Sequence, residues 1–411
     1  LLARPDGEWP LLEPGRKAGP DWPAGAAARF TDDLEAAVRD GIRPAFARYR
    51  AFLVDEVAPL ARPDDRAGLA ALPGGAEMYR RLARSHTTLE LEPDAIHHVG
   101  LEETARIDEE IEALGSRILG SSDRPTILAR LRSDPALQFA TSAEVLGVAE
   151  ASLGRANDAI PTWFGRLPDA PCVVVEMGAH EAKHSTIAYY REPAADGSRP
   201  GSYYINTTEP ATRPRYEAEV LAFHESVPGH HLQIAIAQEL EGLPTFRRLT
   251  GPTAFIEGWG LYTERLATEM GLLSGELDQF GVLSFDAWRA CRLVVDTGLH
   301  AMGWGREQAI RFMVEHTALA ENNIANEVDR YLAMPGQALA YKLGQLEIVR
   351  LREASRSRLG RRFDIRSFHD AVLGQGALGL PTLEQVIEEW IEERREPRGR
   401  AAGPDQAASS G

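Results

Sequence analysis

Between residues 223 and 233 the sequence reads Phe223-His224-Glu225-Ser226-Val227-Pro228-Gly229-His230-His231-Leu232-Gln233. A zinc-binding helix often carries the pattern His-Glu-x-x-His, in which two imidazoles one turn apart bind the metal and the glutamate acts on a water molecule. Here the His-Glu pair is present, but Pro228 occupies the place of the second histidine. The fold around this motif therefore depends on how the chain passes Pro228.

The backbone at Pro228 and Gly229 is predicted to leave the helix. On an unbroken helix His230 would point away from His224, and His231 would lie about 10.5 Å further along the axis. Proline has no N–H for the helix and crowds the preceding turn, while Gly229 permits whatever backbone the break needs. An excursion of two residues would bring His230 to His224, and one of three residues would bring His231. We favour His230.

The third ligand is predicted to be Glu257, on a following helix. Gly258 and Gly260 beside it allow close helix packing. Two histidines, one glutamate and a water form an open, catalytic type of zinc site, and Glu264 is placed to bind the other nitrogen of a ligand imidazole. The plain alternative is that the His-Glu pair has no function, that the histidines only cap a helix, and that Glu257 is an ordinary helix carboxylate.

Helical periodicity dominates on both sides of the motif, which predicts a mainly α fold. Helices are expected within residues 30–60, 75–85, 93–119, 124–132, 142–165 and 213–390. Short β-branched and aromatic runs at 172–175 and 202–205 flank a turn-rich segment and predict a small antiparallel β-sheet beside the metal helix.

Domain boundaries are predicted near both ends of the chain. Residues 1–28 contain five prolines and little periodicity, which predicts an irregular arm. Residues 29–396 are predicted to form a single catalytic domain. Residues 397–411, rich in Ala, Gly, Ser and Arg, are expected to be a disordered tail.

The charge of the chain restricts its partners. The formal net charge is −16 and the sequence pI is about 5.2. This acidity argues against nucleic acid and against anionic membrane surfaces as partners. No apolar run is long enough to span a bilayer. The oligomeric state does not follow from the sequence.

The two cysteines, Cys172 and Cys291, are too few for a disulfide framework and lack metal-type spacing, so we expect both to be small buried residues. No export signal opens the chain, which predicts a cytoplasmic protein. Export stays open because the chain begins with Leu1 rather than Met.

The motif at 224–233, followed by 257–264, resembles a large bacterial family described only as a domain of unknown function and grouped with the zincin-like metallopeptidases. Segments at 201–207, 296–300, 335–344, 368–370 and 376–378 match as well, so that the resemblance covers about residues 40–395. The family's motif, His-Glu-x-x-Pro-Gly-His with a variable next position, favours His230. The chain also resembles, more distantly, the His-Glu-x-Gly-His oligopeptidases. This likeness implies a zincin-like architecture with two helical lobes flanking a groove.

The expected chemistry is hydrolysis at zinc held by His224, His230 and Glu257. Glu225 would take the proton of the attacking water and pass it to the leaving amine. A second donor to the oxyanion is needed besides zinc. Tyr341 is the first candidate for this donor and His300 the second.

Several of these residues have plainer readings. Tyr341 would otherwise be a half-buried helix aromatic, and His300 a core histidine bonded to Asp296. Further candidates are named with less weight: Arg292, Arg330 and Lys342 for a substrate carboxylate, Asn206 for the cleft wall, and His369 near the metal.

The predicted function is zinc-dependent cleavage of a peptide or amide bond. One alternative keeps the zinc but assigns a small-molecule amide or related metabolite of a biosynthetic pathway as the substrate. Another is a catalytically silent relative that binds peptides, against which the intact Glu225 counts.

Overall fold

The computed structural model describes residues 1–17, 22–23, 25–182 and 185–395, and it is mainly helical, as predicted. The predicted tail at 397–411 lies outside the described residues. Within them no helix is long and apolar enough to cross a membrane. The chain divides into two compact units, Leu1–Pro63 and the part from Asp64 onward.

The first unit consists of short helices. These are α1 (Glu13–Arg16), α2 (Ala26–Ala36) and α3 (Arg43–Phe52), with π-helical turns at Ala37–Ile42 and Leu53–Val57. The described part of the predicted arm also contains 3-10 turns at Asp6–Glu8 and Pro10–Leu12. Trp9, Leu12 and Val38 form a small core, whereas Phe46 and Tyr49 are exposed.

The second unit contains the remaining helices. Before the sheet these are α4 (Gly75–Thr87), α5 (Pro93–Ile118), α6 (Arg124–Ser133) and α7 (Ser142–Trp163). Each predicted helix in this part is present to within a few residues. Asp123 and Thr141 begin α6 and α7 by accepting the backbone N–H groups of Thr126 and Glu144, as N-cap residues do.

After α7 come the sheet, the motif helices and a long helical part. The elements are β1 (Cys172–Glu176), α8 (Ala179–Ala182), β2 (Ala188–Arg191), β3 (Gly201–Ile205), α9 (Ala218–Glu225), α10 (His230–Gln238), α11 (Thr245–Leu249), α12 (Thr253–Glu269), α13 (Gln279–His300), α14 (Arg306–His316), α15 (Glu321–Ala333), α16 (Leu339–Leu359), α17 (Ile365–Leu373) and α18 (Leu380–Arg395).

The sheet is mixed rather than antiparallel, which corrects the prediction. Its strand order is β1-β3-β2, with β2 antiparallel and β1 parallel to the central β3. The hairpin of β2 and β3 follows from the local turn sequence. The parallel direction of β1 does not follow from the local sequence, because the chain crosses to the far edge of β3 between β1 and β2.

Two long helix pairs form the frame around the motif. Helix α12 packs along α16, and α13 packs along α5. A Cβ on Gly258 would lie 2.5 Å from the backbone of Gly344, so α12 and α16 touch backbone to backbone at this crossing. This close approach fixes the position of α12, and with it that of the adjacent Glu257.

Candidate metal centre

The motif helix is broken, as predicted, by Ser226–Gly229 between α9 and α10. The N–H of Gly229 donates to the carbonyl of Phe223 at 3.0 Å, a span of six residues instead of the helical four. A Cβ on Gly229 would lie 2.0 Å from the carbonyl oxygen of His224, so only glycine fits. The indole N–H of Trp259 on α12 donates to the carbonyl of Pro228 at 3.0 Å and holds the break against α12.

The break brings His224, His230 and Glu257 together. One ligand atom from each lies within 4.8 Å of the others. The Nε2 atoms of His224 and His230 lie 3.6 and 3.5 Å from the same Oε2 atom of Glu257. Both distances exceed the roughly 2.7–3.2 Å of an N–H···O hydrogen bond. They are close to the roughly 3.3 Å that separates two ligands of a tetrahedral zinc bound at about 2.0–2.1 Å.

Glu264 orients the ring of His224. Its Oε1 atom accepts the Nδ1–H of His224 at 2.8 Å, and both residues are buried. With the proton on Nδ1, the Nε2 lone pair of a neutral His224 is directed at the cluster. Gly260 makes room for this ring, because a Cβ there would lie 2.6 Å from Cε1.

The electrostatics of the cluster favour a cation. Burial opposes a charge on His224, but Glu257 and Glu264 outweigh it and raise its pKa to about 9. Burial likewise opposes a charge on Glu257, yet His224 and His230 hold its pKa well below its usual value. A bound divalent metal ion would supply the positive charge that protonation of the histidine otherwise provides beside these carboxylates.

His231, the alternative ligand, faces the sheet instead. Its Nε2–H donates to the carbonyl of Ala170 at 3.0 Å, and its Nδ1 accepts the hydroxyl of Tyr190 at 2.9 Å. Burial lowers its pKa to about 4, so the ring is neutral at physiological pH. Gly201 of β3 leaves it space, since a Cβ there would lie 2.4 Å from Nδ1.

The catalytic candidates Glu225 and Tyr341 lie near the cluster. Glu225 directly follows His224 on α9 and is partly exposed. Tyr341 lies on α16, and burial together with the charge of Glu257 raises the pKa of its hydroxyl. The guanidinium of Arg292 stacks on the Tyr341 ring at 4.4 Å from its centroid.

His300, the second oxyanion candidate, is held by main-chain groups. Its Nδ1 accepts the N–H of Leu69 at 3.1 Å and its Nε2–H donates to the carbonyl of Tyr331 at 3.1 Å. Asp296, which the plainer reading made its partner, accepts the hydroxyl of Tyr79 and the N–H of Gly336.

Two other candidates are fully engaged elsewhere. His369 is a core residue that bonds Tyr262 and the carbonyl of Trp163, and burial lowers its pKa to about 3. Lys342 is buried against Asp286 and Glu103.

Helix α9 also contributes to the wall of a cavity of about 830 Å³. The three cluster residues do not line it, but Ala218 and Leu221 of α9 do. Glu225 lies on the same face of α9, one turn beyond Leu221, and is not itself a lining residue. Asn206, the predicted cleft residue, and Tyr203 of β3 also line it. The volume is in the range of small-molecule and short-peptide sites, about 300–1,000 Å³.

The fold and the site together define a mainly helical protein with a His, His and Glu cluster on a broken helix. The chain belongs to the bacterial family described as "Bacterial protein of unknown function (DUF885)", which matches residues 4–387. No curated protein matches the chain significantly.

Two solved structures are similar. The "putative lipoprotein" from Colwellia psychrerythraea has a TM-score of 0.88 and 31% identity, over 95% of this chain and 68% of its own. The "putative lipoprotein of unknown function" from Shewanella oneidensis has a TM-score of 0.69 and 17% identity, over 92% of this chain and 69% of its own. The second likeness concerns the fold alone.

These comparisons correct two predictions. The grouping with zincin-like metallopeptidases and oligopeptidases is wrong, because the matching family has no known function and neither neighbour is described as a peptidase. The predicted cytoplasmic location is also wrong, because the Colwellia protein, 31% identical to this chain, is described as a putative lipoprotein, which points to a membrane-anchored place outside the cytoplasm for that protein.

Three residues around the cluster were not found by the sequence reasoning. Arg289 lies 3.7 Å from Glu264, Tyr190 holds His231, and the buried hydroxyl of Tyr203 has no hydrogen-bond partner in the described part of the chain. Each is far along the chain from its neighbour, and no local pattern distinguishes it.

Proposed function

We propose that this protein is a zinc-dependent hydrolase that cleaves peptide or amide bonds. The observation that carries the proposal is the cluster of His224, His230 and Glu257, whose nitrogen and oxygen atoms are too far apart for hydrogen bonds and suitably spaced for a shared ion. The predicted zincin-like architecture with two lobes is not needed, because the proposal depends on the local geometry alone.

The residues fit zinc in type as well as spacing. Two imidazole nitrogens and one carboxylate oxygen are the donor set of an open zinc site, and the Glu264 bond leaves the correct nitrogen of His224 available. Zinc in such a site lowers the pKa of a bound water and polarises a carbonyl. Three ligands leave a coordination position for substrate chemistry.

Glu225 would transfer the protons, and Tyr341 would stabilise the negative charge that develops on the oxyanion. Glu225, which directly follows the candidate ligand His224 and is partly exposed, would take the proton of the attacking water and deliver it to the leaving nitrogen. Tyr341 remains protonated, because burial and Glu257 raise its pKa, and it donates a hydrogen bond to the developing oxyanion. We prefer it to His300, whose ring nitrogens already bond Leu69 and Tyr331.

The cavity suits a short peptide or a small amide. At about 830 Å³ it has room for a few residues but not for a folded protein. Since the similar structure from Colwellia psychrerythraea is described as a putative lipoprotein, we propose that this chain also acts outside the cytoplasm, on peptide fragments or amides found there.

Metal analysis combined with two variants tests the proposal. The purified protein should contain about one zinc per chain and should cleave members of a short-peptide and amide library. Glu225→Gln should keep the zinc and lose activity by about 10²–10⁴-fold, the usual contribution of a general base. His224→Ala should lose the metal. Zinc retained in His224→Ala would refute the site, and stoichiometric zinc without turnover of any amide would favour the peptide-binding alternative.

The adjacent histidines provide a matched pair. His230→Ala should lose zinc, whereas His231→Asn should keep it, because His231 bonds Ala170 and Tyr190 rather than facing the cluster. The reverse result, measured by metal content after gel filtration, would show that the ligand is the other histidine.

A further inference from the structure

Two arginines, the buried Arg292 and the partly exposed Arg330, share one carboxylate near the candidate metal centre. The Nη2 atoms of Arg292 and Arg330 both donate to Oε2 of Glu327 at 3.0 Å. The hydroxyl of Tyr331 donates to the same oxygen at 2.7 Å. Two permanent positive charges therefore meet one negative charge, which leaves an excess of positive charge.

Among the residues that the structure describes, Glu327 is the one carboxylate that forms an ion pair with either arginine. Arg330 gives its Nη1 to the neutral amide oxygen of Gln337 at 2.8 Å. Asp296 is the other carboxyl group influenced by Arg330, and burial raises its pKa to about 7, so it offsets only part of the charge at neutral pH. An unbalanced buried charge is costly unless an anion binds beside it.

Arg292 offers a free edge for such an anion. Its side chain is only 4% exposed, and its Nη1 atom is buried without a hydrogen-bond partner among the described residues. The faces of the guanidinium are covered by the rings of Trp288 and Tyr341, each with its centroid 4.4 Å away. Stacked in this way, the planar group presents Nη1 in a fixed direction, as arginines that bind carboxylates do.

Arg292 lies directly behind the cavity wall. Trp288 and Glu327, both in contact with Arg292, line the cavity, whereas Arg292 itself does not. Arg292 also stacks on Tyr341, whose hydroxyl is influenced by the charge of Glu257. The arginine is therefore separated from the cavity by the two lining side chains and is linked through Tyr341 to the candidate metal centre.

We propose that Arg292 and Arg330 bind a carboxylate of the substrate, so that the preferred substrates are amides that carry a free carboxylate within a few bonds of the cleaved one. This inference rests on the proposed function and narrows its substrate class. The carboxylate comes either from the C-terminus of a short peptide or from an acidic side chain, since both have the same planar acceptor. Lys342 is not part of this site, because Asp286 and Glu103 already neutralise it.

A binding experiment tests the carboxylate site without requiring turnover. The zinc-loaded Glu225→Gln protein is titrated with three acetylated dipeptides: one with a free C-terminal carboxylate, its C-terminal amide, and an amide that carries a glutamate side chain. The free acid or the acidic side chain should bind about 10- to 100-fold more tightly than the neutral amide. Tighter binding of the free acid would identify the C-terminal carboxylate as the recognised group, and tighter binding of the glutamate-containing amide would identify an acidic side chain. Equal binding of all three would overturn the inference.

Arginine variants test whether the arginine pair causes the tighter binding of carboxylates. In the same background Arg292→Gln should abolish it while zinc content stays unchanged. Arg352→Gln is the matched control, because Arg352 also bonds a tyrosine and a glutamate, Tyr262 and Glu269, but these do not line the cavity. If Arg292→Gln does not fold, Arg330→Gln, at the more exposed arginine, should reduce the preference at least threefold, and no reduction would refute the pair.

The outcomes separate the two proposals. Absence of zinc in the parent protein would refute the proposed function itself. Normal zinc content with a carboxylate preference that survives both Arg292→Gln and Arg330→Gln would refute only the arginine site.

Discussion

Glu264 illustrates how a single buried carboxylate orders the candidate centre. It accepts the Nδ1–H of His224, and Arg289 lies 3.7 Å away and partly balances its charge. Its second oxygen, Oε2, has no partner among the described residues. The residue therefore acts mainly on the imidazole, by fixing the ring's tautomer and orientation.

Removing the charge of Glu264 should weaken metal binding without abolishing it. We expect Glu264→Gln to lower zinc affinity about 10- to 100-fold, the usual effect of losing a carboxylate behind a ligand histidine. Competition with a chromophoric chelator measures this. Glu269→Gln on the same helix, which only breaks a pair with Arg352, should leave the affinity unchanged. Equal losses in both variants would indicate a general effect on α12.

Glu217, in the cavity wall, should make stability depend on pH. Burial raises its pKa from 4.5 to about 7, although Ser284 donates a hydrogen bond to it. Between pH of about 4.5 and 7 the folded state keeps a proton that the unfolded state has released, so its contribution to stability falls as pH rises.

Glu217→Gln removes this titration and should be more stable than the parent at pH 8, by about 1–3 kcal/mol, and nearly equal to it at pH 4. Urea unfolding at both pH values is the measurement. Glu219→Gln is the contrast, because it breaks a buried ion pair with Arg155 and should be destabilising at pH 8. A constant difference for Glu217→Gln across pH would contradict the assignment.

At the scale of elements, the centre depends on two features of helix packing. The break at Ser226–Gly229 turns α10 so that His230 meets His224. The backbone contact of α12 with α16 at Gly258 and Gly344 places Glu257 opposite them. A small displacement of either element would separate ligand atoms that lie within 4.8 Å.

A methyl group at the helix crossing should therefore affect both stability and metal binding. Gly258→Ala places a Cβ 2.5 Å from the backbone of Gly344, and we expect a loss of about 1–3 kcal/mol together with weaker zinc binding. Gly147→Ala in α7 has open space around it and should be neutral or stabilising by up to about 1 kcal/mol. Thermal unfolding and zinc titration of both variants check this, and unchanged zinc affinity in Gly258→Ala would show that the crossing does not position Glu257.

At the scale of the whole molecule, the ligands would join three helices that share one apolar core. His224 and His230 lie on α9 and α10, which pack against the sheet and against α12, and Glu257 lies on α12. A metal bound by all three would stabilise the folded state, because it binds the assembled cluster and not the unfolded chain.

Metal removal should accordingly lower the melting temperature of the protein. Zinc at about 100 times its Kd adds about 2.7 kcal/mol to the free energy of unfolding, and this gain should vanish in chelator. Differential scanning calorimetry with and without zinc measures the shift, and His224→Ala should show none. A shift of equal size in His224→Ala would place the stabilising metal elsewhere.

The candidate site was predictable as far as its residues are local in sequence. The His-Glu pair, the break at Pro228–Gly229 and the carboxylates of α12 all follow from spacing and from the limits of the helix. The choice between His230 and His231 stayed open in the local reasoning, because both lie just beyond the break. Arg292 and Arg330 were named as candidates for a substrate carboxylate, but their meeting at Glu327 could not be predicted, since Arg292 and Glu327 lie on different helices.

The sequence by itself determined the helical class, most helix positions and the residue types available for a metal, because these depend on periodicity and backbone chemistry within a few residues. The tertiary structure alone decided which imidazole joins the cluster, the direction of β1 and the meeting of two arginines at one glutamate. These features depend on contacts between distant segments, such as Gly201 against His231 and Gly258 against Gly344. Steric fit at those contacts is a property of the packed chain, and no local pattern contains it.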